Sequence, residues 1–211
     1  MVRKLRLILL LAFATVALSS CATQTQLTSQ WKDPTYTGAP GQKVVVLAMT
    51  GNQRNMMIWE TGMTQALQHT GVQVIAGSTL ISTTPGSPPP DSATVVQKVR
   101  DTGADLVMVS RLLNVNQVQT YVPGTTAFYG GYYGYYAGGM AVMSTPGYYE
   151  TDTQYELETN VFDIKTEKLV WSGASQTVDP STASDMANSV ANAIVTNLVD
   201  TGVIVEAKKK K

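Results

Sequence analysis

The chain contains one cysteine, Cys21, and one histidine, His69, in 211 residues. A lone cysteine excludes an intramolecular disulfide, so a packed core must supply the stability. A lone histidine excludes a site built from several imidazoles; near the end of an expected helix, His69 suits the helix dipole instead. The sequence also lacks a Walker-type phosphate loop, a GxGxxG turn, a GxSxG nucleophile elbow and any Cys/His ligand spacing. No catalytic residue, cofactor site or metal site is therefore expected. Charged residues make up only 14% of the chain. Setting aside Arg3, Lys4 and Arg6 leaves acidic side chains in excess, and much of the remaining positive charge is the terminal run Lys208 to Lys211. A mildly acidic body argues against nucleic acid as a partner.

No apolar run reaches the ~20 residues of a membrane-spanning helix. The longest, Leu7 to Leu18, follows three basic residues, which is the layout of a secretory signal. It ends in Leu18, Ser19, Ser20 and Cys21, resembling the cleavage site of bacterial lipoproteins, with Cys21 as the lipidated N-terminus. Each buried acyl methylene contributes about 0.8 kcal/mol of membrane affinity, so several chains on one cysteine hold a protein permanently. Ala22 stands where aspartate would signal inner-membrane retention, which points to an outer-membrane anchor with the body facing the periplasm. The expected organisation is a signal peptide at 1–20, a lipidated N-terminus and flexible spacer at 21–40, one domain at 41–206 and a basic tail at 207–211. Within the spacer, rich in Thr, Gln, Ser and Pro, Trp31 and Tyr36 are the exceptions.

The domain reads as α/β: a mixed β-sheet packed with helices in the order β-α-β-α-β-β-β-α, with a long projecting β-hairpin. KVVVLAM, Lys43 to Met49, has the pattern of a strand covered on both faces. Met56, Trp59, Met63, Ala66 and Leu67 then recur at helical spacing up to Gly71. Val72 to Ala76 reads as a strand, and Asp91 as the cap of a helix with a Val95, Val96, Val99 stripe ending at Gly103. The next extended pattern runs from Asp105 to about Val122, far beyond an ordinary strand. A matching one runs from Gly147 to Ile164. Pairing Asp105 with Ile164 sets Met108 against Val161 and Leu112 against Leu157 on one face, with Arg111 against Glu158 on the other. A strand from Lys168 to Thr177 should place Leu169 and Trp171 on one face. Asp179 and Pro180 should open the last helix, whose buried side is Ala187, Val190, Ile194 and Leu198 and whose stop is Gly202.

Residues 123–147 become the hairpin tip, which holds YGGYYGYYAGG, Tyr129 to Gly139. Tyrosine offers large amphipathic contact area at low ordering cost. Tyr129, Tyr132, Tyr133, Tyr135, Tyr136, Tyr148 and Tyr149 are thus the candidate contact residues, for a neighbouring subunit, an envelope protein, a cell-wall or exported polysaccharide, or the membrane interface. Asn114, Asn116, Gln117 and Gln119 interrupt both faces of the hairpin, which argues against a membrane-spanning arm. Glu150, Asp152, Glu156 and Glu158 share one strand face. Paired carboxylates serve glycoside hydrolysis or calcium binding, but at alternate positions of an exposed strand they form an ordinary solvent stripe.

QWKDPTYTG (Gln30 to Gly38), KVVVLAM, Arg54 and Glu60 resemble the start of a family of uncharacterised bacterial envelope lipoproteins. More distantly, DTQYELETNVFDIKTEKLVWS (Asp152 to Ser172) and TGVI (Thr201 to Ile204) resemble the curli-secretion channel lipoprotein CsgG. The element order also resembles the Pel-export ring lipoprotein and the synthase activator LpoB, with a fold like the TolB N-terminal domain. The resemblance implies a ring or scaffold component. It does not carry over the channel itself: a second long hairpin is missing, and Thr50 to Asn55 has no aromatics. A non-enzymatic outer-membrane lipoprotein assembling with itself or with an export or envelope complex is the expected function; the alternative is a periplasmic regulator of a cell-wall synthase.

Overall fold

The computed structural model describes residues 23–81, 91–124, 126–127, 143–144 and 146–206. In chain order, its elements are β1 (Thr25–Lys32), β2 (Lys43–Met49), α1 (Gln53–His69), β3 (Gln73–Ala76), α2 (Gly77–Leu80), α3 (Ser92–Asp101), β4 (Leu106–Val122), β5 (Thr126–Ala127), β6 (Met143–Ser144), β7 (Tyr148–Asp163), β8 (Leu169–Val178) and α4 (Ala183–Asp200). Six strands form one mixed sheet in the order β1-β8-β7-β4-β2-β3. β2 runs parallel to β3 and β4, as helical crossovers require, and the remaining pairs are antiparallel. The structure shows the expected α/β class, and the expected order matches roughly, with β1, the short α2 and the β5–β6 pair added.

One sheet face is sealed by α1 and α4. Val44, Val46, Leu106, Met108, Val161 and Trp171 from the strands meet Met63, Leu67, Val190, Ile194 and Leu198 from the helices in one apolar cluster. Trp171 is fully buried, and its indole N–H donates to Asn197 Oδ1 at 3.0 Å, so burial leaves no polar atom of that ring unsatisfied. The opposite face carries a smaller cluster, Val45, Val99, Ala104 and Ile164, beneath α3. Gly71, Gly103 and Gly202 stop three helices with φ of +84°, +62° and +69°, a conformation that a side chain disfavours.

Three expectations are corrected. The segment 21–40 is not a free spacer throughout: Thr25–Lys32 pairs antiparallel with β8, from Thr25 opposite Thr177 to Lys32 opposite Trp171. Its polar composition suits an edge strand that covers little core, while its backbone closes the otherwise open edge of β8. Leu169 and Trp171 do not share a face, because an irregularity at Val170 sets Leu169 opposite Phe162 and Trp171 opposite Val161. The last helix starts at Ala183, capped by Thr182, whose hydroxyl accepts from Asp185 N at 3.1 Å. Asp179 instead occupies a tight turn at φ +42°, its carboxylate accepting from Thr153 N at 2.7 Å.

Candidate functional site

The expected register of the long strands is observed: Met108 faces Val161, Arg111 faces Glu158 and Leu112 faces Leu157. β2 pairs with β4 only as far as Arg111, and β8 pairs with β7 only down to Gln154. Beyond those points β4 and β7 continue together to Val122 opposite Tyr148, leaving the body as a two-stranded ribbon. β5 and β6 keep the same register, Thr126 opposite Ser144.

The ribbon departs from uniform pairing at Leu113, where the register shifts by one residue between Leu112 and Asn114. An extra residue in one strand reverses the parity of everything beyond it. Val115 therefore sits opposite Tyr155, and Tyr121 opposite Tyr149, on the face that carries Leu112 and Leu157. The Tyr121 and Tyr149 rings lie 5.2 Å apart with an interplanar angle of 54°, a favourable tilted pair. A β-carbon at Gly147 would meet the far end of the Tyr121 ring, so a larger residue there would make that exposed ring swing aside. Tyr148 occupies the other face, opposite Val122. Tyr121, Tyr148 and Tyr149 are exposed at 56%, 57% and 71%. Tyr129, Tyr132, Tyr133, Tyr135, Tyr136 and Cys21 lie outside the described residues.

At the root of the ribbon, exposed Leu112 and half-buried Tyr155 border a notch of about 480 Å³ that also includes Ile58, Trp59 and Met186 near the starts of α1 and α4. Leu113 and Val115 are each 47% exposed nearby. The Leu-Leu doublet, an interruption of strict alternation, is the sequence signal for this bulged root. On the other face, Arg111 Nε donates to Glu158 Oε2 at 2.6 Å. Such a partly exposed ion pair contributes about 0–1 kcal/mol.

The carboxylate stripe is present as expected: Glu150, Asp152, Glu156 and Glu158 all fall on the face away from the main core. Desolvation raises the Asp152 pKa above the usual aspartate value, reinforced by a hydrogen bond and negative charge from Asp179 and by the charge of Glu150. Among the described residues, no three His, Cys, Asp or Glu side chains form a group able to hold a metal ion. Glu60, which carries part of the family resemblance but has no role readable from the sequence, is 2% exposed in α1, with its carboxylate accepting from Ser78 N at 2.8 Å beneath the short α2. It borders a second, largely apolar cavity of about 880 Å³ between α3 and the sheet.

Together, fold and surface define a mixed α/β domain bearing a projecting, partly apolar β-ribbon. No family model matches the sequence, and no curated protein does. Among solved structures, it is similar to a PelC dodecamer from Paraburkholderia phytofirmans, at 13% identity and a TM-score of 0.44, covering 87% of this chain and 100% of that one. It is also similar to a lipoprotein from Neisseria meningitidis, at 14% identity and a TM-score of 0.38, covering 75% and 98%. A third, a hypothetical protein from Chlamydia trachomatis, has 11% identity and a TM-score of 0.40, covering 76% and 97%.

Proposed function

We propose that the protein is a non-enzymatic lipoprotein of the outer membrane, held by acylated Cys21 with its body in the periplasm, and that it acts as an assembly or scaffold component of an envelope or export complex. The observation that supports this reading best is the ribbon. Past Arg111, β4 has no partner on its β2 side among the described residues, so its outward N–H and C=O groups stand open. Folded proteins usually blunt such edges with charge or proline, yet Leu112 to Val122 has neither. An open edge beside exposed Leu112, Leu113 and Val115 suits pairing with another chain, a second copy or an envelope protein.

The regulator of a cell-wall synthase is less well supported. Such a role needs reach, but β1 is locked into the sheet from Thr25, leaving four residues to Cys21, at most about 14 Å of tether. Among the described residues, a polysaccharide ligand has no built site to support it beyond the aromatic content of the ribbon.

Native mass spectrometry and crosslinking of the acylated, detergent-extracted protein test the proposal. The expected result is an oligomer or a crosslinked envelope partner that is lost in a Leu112→Ser, Leu113→Ser double variant. A strict monomer without a crosslinked partner overturns it.

A further inference from the structure

The direction of β1 relates the anchor to the ribbon. β4 runs outward along the ribbon, β7 returns, β8 runs outward again, and β1, antiparallel to β8, begins at the outer end. Thr25 pairs with Thr177, which pairs with Tyr155, which pairs with Val115, so all four residues lie at one level of the sheet. The chain before Thr25 is tied to that end as well, because Ser189 Oγ near the start of α4 donates to the Thr23 carbonyl at 2.8 Å. The chain leading back toward Cys21 therefore starts, at Thr23, from the side on which the ribbon projects.

The lengths matter as much as the direction. Cys21 lies four residues before Thr25, four Cα–Cα steps that span at most about 14 Å when fully extended. From the same level, seven further residues of β4 and of β7 lead to Val122 and Tyr148, a rise of about 23 Å. Val122 and Tyr148, where the pairing of β4 with β7 ends, thus lie about 9 Å beyond the furthest reach of the Cys21 backbone along the strand axis. The interfacial layer on each side of a bilayer is about 5 to 8 Å thick. If acylation holds Cys21 at the lipid surface, a ribbon tilted by roughly 20–50° from the membrane normal carries Val122 and Tyr148 into that layer without passing through it.

We infer that the outer end of the β4–β7 pairing, with Tyr121, Val122, Tyr148 and Tyr149, docks into the headgroup layer of the same membrane that holds the acyl chains. The inference rests on the reading of Cys21 as lipidated. Its chemistry fits the depth: Leu112 to Val122 carries no charge, Glu150 is the nearest charged residue on β7, and tyrosine rings prefer this interface. The depth is also limited. Open strand edges cannot be satisfied in hydrocarbon, and Gln117 and Gln119 follow the tyrosine pair on one face, with Asn114 and Asn116 on the other. The ribbon is accordingly an interfacial strut that divides its surface between lipid at its end and protein at its root.

The test uses the full, acylated protein in vesicles of phosphatidylethanolamine and phosphatidylglycerol. Acylation consumes Cys21, so an environment-sensitive fluorophore can be placed at Tyr148→Cys or, at the opposite end of the body, at Lys165→Cys. The Tyr148→Cys label should shift to the blue and be quenched by headgroup spin-labelled lipid, while the Lys165→Cys label stays unquenched. Equal quenching at both positions, or none at either, overturns the inference. So does an unquenched Tyr148→Cys label that contacts a second copy in crosslinking. An intact mass showing an unmodified Cys21 removes the lipoprotein reading itself, and it is measured before reconstitution, so the two failures are separate.

Discussion

Burial converts a few side chains into determinants of stability. Trp171 fills the centre of the main core and satisfies its indole N–H on Asn197, so Trp171→Ala should cost about 3–5 kcal/mol in chemical denaturation. Thr182→Ala, which removes the cap of α4, should cost about 1 kcal/mol. Asp152 gives a pH signature instead of a fixed cost. Its folded pKa lies above the ordinary value of 3.8, so the folded state holds the proton more tightly. The stability this contributes is fully present below that value and is lost as pH rises through the folded pKa. Asp152→Asn should therefore melt like the wild type in acid and at higher temperature than the wild type near neutrality; a difference that does not change with pH would refute the assignment. None of these roles except the burial of the helix stripes follows from residue type alone. Asp179 shows why: it resembles a helix cap in sequence, yet Thr182 takes that position because Asp179 is held in a turn against Thr153.

The secondary elements were largely legible, because period and punctuation coincide. Lys43 to Met49, the α1 stripe and the α4 stripe fall where apolar spacing puts them, and their helices end at glycines able to adopt positive φ. The paired register of β4 and β7 within the body was legible too, since a one-residue slip would turn every apolar side chain outward. The bulge at Leu113 was not, because strict alternation and its interruption differ by a single residue. Past Arg111 the ribbon also loses its lateral neighbours. Amides of Asn114 to Val122 should therefore exchange with solvent much faster than those of Leu106 to Ser110 in hydrogen exchange. Equal protection along β4 would mean that the ribbon is covered by something else.

For the molecule as a whole, β1 matters beyond its few core contacts. It closes one edge of the sheet, so a protein lacking residues 23–32 should expose β8, lose stability and associate non-specifically, measurable by melting and light scattering. The helix faces, the pairing of Met108 with Val161 and the place of the tyrosine tract between two long strands were determined by the sequence itself. These depend on local chemistry or on a period that admits one register. Only the tertiary structure decided that a polar segment completes the sheet, that Leu112 and Tyr155 border a notch near the starts of α1 and α4, and that Thr25 begins at the end where the ribbon leaves. Each of those depends on which distant strand offers an unfilled edge, and backbone hydrogen bonding leaves no mark on the side chains that form it.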